Sequence, residues 1–166
     1  MDKHTISVLV ENRFGVLARV SGLFCGRGYN ITSLTVNETQ DPKVSKMTIV
    51  TSGDEAILEQ IDKQLNKLID VIKVTDLTGS KFIERELALI KVATKDSDCR
   101  ADLIQITEIF EGKIVVVNRQ ELGIEIHGRS DKIDNFIELV SDFGIVELSR
   151  SGRVAITREH GATEKY

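Results

Sequence analysis

The chain has 166 residues, 22 basic against 26 acidic side chains, a formal charge of −4, 41% hydrophobic residues, one proline and no tryptophan. That length suits one ordinary domain or two small ones, and the composition excludes collagen-like, mucin-like and generally disordered chains. No apolar run approaches the roughly 20 residues of a membrane span, the mild acidity argues against nucleic acid as the main partner, and Met1-Asp2-Lys3-His4-Thr5 resembles neither a signal nor a transit peptide. A soluble cytoplasmic protein is expected.

Thr5 to Val10 alternates, with Ile6, Val8 and Val10 on one face, as a half-buried strand does. A turn, Glu11-Asn12-Arg13-Phe14-Gly15, leads into Val16, Leu17, Val20, Leu23 and Phe24 at helical spacing, which predicts a helix from Val16 to about Gly26. Gly26 and Gly28 mark its end. Ile31 to Thr39 and Val44 to Thr51 read as strands around the turn Gln40-Asp41-Pro42-Lys43. A second helix follows Ser52-Gly53-Asp54, with the stripe Ile57, Leu58, Ile61, Leu65 and Leu68, and Val71 to Leu77 is a fourth strand.

After the linker-like Thr78-Gly79-Ser80 the order returns. Strand Arg85–Thr94, helix Ala101–Phe110, strands Lys113–Asn118 and Gly123–His127, helix Ser130–Asp142 and strand Gly144–Ser149 are expected, with a short addition at Val154–Thr157. The polar tail Arg158–Tyr166 is expected to be mobile. The sequence therefore predicts an α+β protein of two tandem ferredoxin-like βαββαβ sandwiches, residues 1–78 and 79–166. Each is near the size at which one core is marginal, so packing between units or between chains is expected. Leu9 and Leu34 fit neither face cleanly and hint at contacts across a dimer.

The chain offers little catalytic chemistry. His4, His127 and His160 share no metal-ligand spacing and read as surface or strand-end residues. Cys25 reads as buried packing on the first helix, and Cys99 as part of a helix entry; with no CxxC, neither a disulfide framework nor a zinc knuckle is expected. Asp54-Glu55 and Glu84/Glu86 read as helix-start and solvated-face charges. Gly26-Arg27-Gly28 follows a helix and opens none, so it is not a dinucleotide loop. No catalytic or metal-binding residue is assigned.

The turn before the first helix is different. A helix start has unpaired amides and partial positive charge, which attract a carboxylate or phosphate, and Gly15 allows close approach. Asn12 offers a donor and an acceptor, and Asn30 stands after the helix. Such a constellation suits a small zwitterion with an apolar side chain; equally, both asparagines read as turn residues.

The run Asn12-Arg13-Phe14-Gly15-Val16-Leu17-Ala18-Arg19-Val20 resembles the ligand-binding turn of an ACT domain. The stretch Gly22-Leu23-Phe24-Cys25-Gly26-Arg27-Gly28-Tyr29-Asn30-Ile31-Thr32-Ser33-Leu34 closely resembles the regulatory small subunits of acetolactate synthase (acetohydroxyacid synthase). Lys46-Met47-Thr48-Ile49, Glu84-Arg85-Glu86-Leu87, Thr107-Glu108-Ile109-Phe110 and Ser151-Gly152 resemble that family too. The resemblance implies an N-terminal ACT domain that pairs side by side in a homodimer and a C-terminal ferredoxin-like domain. It implies activation of a catalytic large subunit and feedback inhibition by valine, isoleucine or leucine in branched-chain amino-acid biosynthesis. Thiamine diphosphate, Mg²⁺ and FAD would belong to the large subunit. Asn12 would bond the effector, and the amides of Gly15, Val16 and Leu17 would hold its carboxylate. Asn30 and Ile31 would come from the partner subunit, with Leu9 or Leu34 as apolar wall. Departures from the family pattern stand at Lys46, Glu111 and Val116. A free-standing amino-acid-binding ACT regulator of transcription would need a DNA-binding element, and a small ferredoxin-like enzyme an acid–base or metal cluster; neither is visible.

Overall fold

The computed structural model describes residues 2–79 and 81–158. The first βαββαβ run comprises β1 (Asp2–Glu11), α1 (Val16–Gly26), β2 (Ile31–Glu38), β3 (Val44–Gly53), α2 (Glu55–Leu65) and β4 (Val71–Asp76). The second comprises β5 (Phe82–Ala93), α3 (Ser97–Ile109), β6 (Lys113–Val117), β7 (Glu121–Gly128), α4 (Ser130–Ser141) and β8 (Ile145–Arg150), followed by β9 (Val154–Thr157). The first sheet has the order β2-β3-β1-β4 and the second β6-β7-β5-β8, with β9 joined to β5. Among the described residues one compact unit runs up to Ile83 and includes 153–158, and the other is Glu84–Gly152.

The alternation in β1 does what its period requires. Ile6, Val8 and Val10 enter one core with Met47 and Ile49 of β3, Val16, Val20 and Phe24 of α1, and Ile61 and Leu65 of α2. The register pairs Ile6 with Ile49 and Val8 with Met47, so the two central strands present their apolar residues to the same face. Full burial of each such side chain contributes about 1.5–3 kcal/mol. The second unit repeats the plan with Ala88, Ile90 and Val92 on β5, Leu122, Ile124 and Ile126 on β7, Leu103 on α3, and Ile133, Phe136 and Val140 on α4.

Several expectations are corrected. Helix α3 begins at Ser97, four residues before the expected start at Ala101, because Asp96 caps it by accepting from the Cys99 N–H at 2.8 Å. That bond holds the Asp96 carboxyl below its ordinary value. Helix α2 ends at Leu65, and Leu68 packs on the core from the following turn. Cys25 is exposed, on a face of α1 turned away from the core. His4 is buried rather than superficial, its Nε2 donating to Gly53 O at 3.1 Å. Glu86 is not on a solvated face. It is buried, with Oε1 taking Arg150 Nε at 2.7 Å and Oε2 taking Arg150 Nη2 at 2.9 Å and the Ser130 hydroxyl at 2.8 Å. Arg150 also donates to Asp134 at 2.7 Å. The Glu86 bond, followed by that to Asp134, raises the guanidinium's pKa, so this cation stays charged at every pH where the protein folds. The tail from residue 159, His160 included, lies outside the described residues.

The departures have local explanations. Glu111 adopts a positive φ of 55° just past α3, and its carboxylate meets Lys132 Nζ at 3.3 Å. Val116 sits over Gly123, where any added Cβ would lie 2.8 Å from the Val116 Cβ. Lys46 lies opposite Leu9 in the β1–β3 register and is half-buried.

Candidate functional site

Helix α1 starts without the devices used by the others. α2 and α3 are capped by Asp54 and Asp96, and α4 has Asp131 in its first turn. The N-cap of α1 is Gly15 at φ 83°, with no side-chain cap and no acid in the first turn. Only a residue without Cβ takes that left-handed conformation cheaply. The Val16 amide donates to Arg13 O at 3.3 Å, whereas the amides of Gly15, Leu17 and Ala18 have no hydrogen-bond partner among the described residues. Three open N–H groups lie at the uncompensated end of the helix dipole. A carboxylate would complete them.

Arg19 fixes the turn from below. Its Nη1 meets Asp70 Oδ2 at 2.6 Å and its Nη2 reaches Phe14 O at 3.4 Å, while Glu11 N–H donates to Asp70 O at 2.8 Å. Asp70 is buried, so this ion pair ties the β1–α1 turn to the start of β4.

Asn12 is exposed beside these amides. Its Nδ2 donates to Glu38 Oε1 at 3.0 Å and to Pro42 O at 2.9 Å, and its own N–H donates to Lys43 O at 2.7 Å. Both side-chain donors are thereby used, and Oδ1 is left as an open acceptor. A ligand ammonium is the group this oxygen and the neighbouring Glu38 carboxylate would receive. Glu38 and the Ala18 amide were not evident from sequence. Glu38 is 26 residues from Asn12, and only the meeting of the β1 and β2 ends makes it a neighbour.

Asn30 and Ile31 lie elsewhere in the protomer. β2 runs parallel to β1 in the order β2-β3-β1-β4, so Glu38 at its end stands beside Asn12, and Asn30 precedes its start. Eight residues of strand put Asn30 roughly 25 Å from the α1 turn. Asn30 is exposed, and its carbonyl accepts from Thr51 Oγ1 at 2.7 Å. Ile31 is half-buried against the core. Of the two proposed walls, Leu34 packs on the helix-side core, whereas Leu9 is buried on the opposite face of the sheet. One protomer therefore assembles Asn12 with the open amides of α1 and does not bring Asn30 or Ile31 to them.

β2 is an edge strand. The entry to β9 touches its sheet face: Thr35 Oγ1 donates to Arg153 O at 2.7 Å, and Arg153 N–H to Ser33 Oγ at 3.3 Å. Its outer hydrogen-bonding edge carries no strand among the described residues. The flank of α1 turned away from α2 presents Leu17, Ser21 and Cys25, with Leu17 44% exposed.

Among the described residues no group of three His, Cys, Asp or Glu side chains converges to hold a metal ion, and no helix is long and apolar enough to cross a membrane.

Known proteins resemble this chain over almost its whole length. Residues 6–73 match the family model for the AHAS small subunit-like ACT domain, and residues 85–159 that for the small subunit of acetolactate synthase. The probable acetolactate synthase small subunit of Methanothermobacter thermautotrophicus is 51% identical over 157 residues, covering 95% of this chain and 94% of that one. The acetolactate synthase isozyme 3 small subunit of Escherichia coli is 46% identical over 157 residues, covering 94% and 96%. The crystal structure of the acetolactate synthase small subunit from Thermotoga maritima superposes with a TM-score of 0.86 at 40% identity, covering 97% of this chain and all of that one. With an ACT domain first and a second βαββαβ unit after it, the chain belongs to the acetolactate synthase small-subunit family.

Proposed function

We propose that two copies of this chain pair through their β2 edges and bind a branched-chain amino acid, valine or a close relative, at two equivalent sites. Each site takes Asn12 and the α1 amides from one copy and Asn30 with the Ile31 backbone from the other. The observation that carries this reading is the separation of the two asparagines. They stand at opposite ends of an unpaired edge strand, and antiparallel pairing of two such edges sets the start of one β2 beside the end of the other. The effector carboxylate would lie on the amides of Gly15, Leu17 and Ala18, its ammonium on Asn12 Oδ1, and its aliphatic chain against Leu17.

The dimer activates a cytoplasmic catalytic large subunit that carries thiamine diphosphate, Mg²⁺ and FAD and condenses pyruvate with a second 2-oxo acid. Effector binding favours an arrangement of the regulatory dimer that the large subunit accepts less well, and the shift is limited to the difference in affinity, typically about 1–3 kcal/mol.

Reconstitution tests the reading. Purified chain added to an acetolactate synthase large subunit from the same source should raise acetolactate formation, and valine should reverse the increase. Valine binding with no effect on the large subunit would favour a free-standing amino-acid-responsive ACT protein instead.

A further inference from the structure

A groove of about 600 Å³ runs between α1 and the end of α2. Its chemistry is uneven for a chain of net charge −4. Arg19, Arg27 and Lys67 line it, and no acidic side chain does. Arg19 is paired with Asp70, but neither Arg27 nor Lys67 has an ion-pair partner among the described residues. The rest of the lining includes Leu23 and Leu68, both in contact with the core.

Two glycines, Gly22 and Gly26, also line the groove, on one side of the 11-residue α1. Gly26 is the last residue of α1, but Gly22 stands inside it, where glycine is a poor residue and the usual compensation is close packing. A Cβ at either position would meet nothing within 4 Å, so no contact within the protomer requires them to be small. At one end of the groove, Arg19 bonds Phe14 O and the Asp70 carboxylate. The two side chains next to those anchors are bare: Phe14 is fully exposed and Ile69 is 92% exposed. Large exposed apolar groups close to a groove are a mark of interaction surfaces.

We propose that this α1–α2 groove, with the exposed Phe14 and Ile69 close to its Arg19 end, receives an acidic helical segment of the catalytic large subunit. The uncompensated cations call for carboxylates, the bare glycines admit a helix backbone at close range, and the two apolar side chains anchor the end. Two copies seated groove to groove would set the same cations against one another, which does not favour that arrangement. The groove lies on the flank of α1 opposite Leu17, Ser21 and Cys25, so docking and effector binding use the two sides of one helix. The inference rests on the regulatory-subunit reading, and deepens it by assigning the surface that meets the catalytic partner.

The test uses the full chain and the large subunit from the same source. Arg27→Glu combined with Lys67→Glu should weaken large-subunit binding at least tenfold, and activation should return only at higher subunit concentration. Valine binding to the free variant, measured by calorimetry, should match the unaltered chain. Gly22→Ala supplies a second sign: the free chain should melt at a higher temperature while the complex weakens, and Gly22→Leu should weaken it further. Large-subunit affinity unchanged in both the charge-reversed variant and Gly22→Leu would overturn the proposal, as would loss of self-association in either. If the unaltered chain fails to bind the large subunit at all, the regulatory-subunit reading itself falls.

Discussion

Asn12→Ala is expected to weaken valine binding roughly 10- to 100-fold. The amide's two donors are committed to Glu38 and Pro42, so the change removes the amide's open acceptor for the ammonium and also releases the Glu38 carboxylate, the second acceptor, from its place. A hydrogen bond to a charged group contributes about 1.5–3 kcal/mol, and 1.4 kcal/mol is a factor of ten. The side chain is exposed, so the fold should lose little. Valine titration of the free chain should show the weakened affinity directly. In the reconstituted enzyme the inhibition curve should move to higher valine while activation without valine stays largely intact. Normal valine inhibition in the Asn12→Ala complex would show the site assignment to be wrong.

Arg150→Ala should destabilise the second unit by about 3 kcal/mol. The Glu86 side chain is 5% exposed and has both oxygens engaged by Arg150, so truncation removes the cation that balances a buried carboxylate. Breaking a buried pair costs about 3–5 kcal/mol, and the low end applies because Arg150 is 33% exposed and water can enter behind it. The asymmetry is itself testable. Glu86→Leu with Arg150→Met removes both charges and should recover much of the loss. Urea unfolding of the three proteins measures the differences. Arg150→Ala with unaltered stability would contradict the assignment of Glu86 as a charge dependent on this partner.

Much of the architecture was legible because it rests on local periodicity. The alternation Ile6, Val8, Val10 and the spacing Val16, Val20, Phe24 are the same positions that fill the first core. What escaped the sequence depends on residues far apart. Nothing near Glu86 announces Arg150, 64 residues later, so a buried ion pair read as a surface charge. The start of α3 is not legible in the sequence because a polar first turn, Ser97 to Arg100, carries no apolar signal and is held by its cap. His4 is buried by β3 and its Gly53 carbonyl, 49 residues away.

The candidate site divides in the same way. The Gly15 turn and Asn12 are visible as a motif, because an uncapped helix start preceded by glycine is a local pattern. The contribution of Glu38 needs the sheet order, and that of Asn30 needs a second copy of the chain.

Mixing two defective proteins distinguishes a shared site from one held within a single chain. Asn12→Ala and Asn30→Ala should each lose most valine binding as homodimers. Co-refolded together, they should form mixed dimers in which one site carries both defects and the other carries none. Calorimetry should then recover one site of unaltered affinity per mixed dimer. Mixed dimers that bind valine no better than either parent would contradict a pocket built by two copies across the β2 edge.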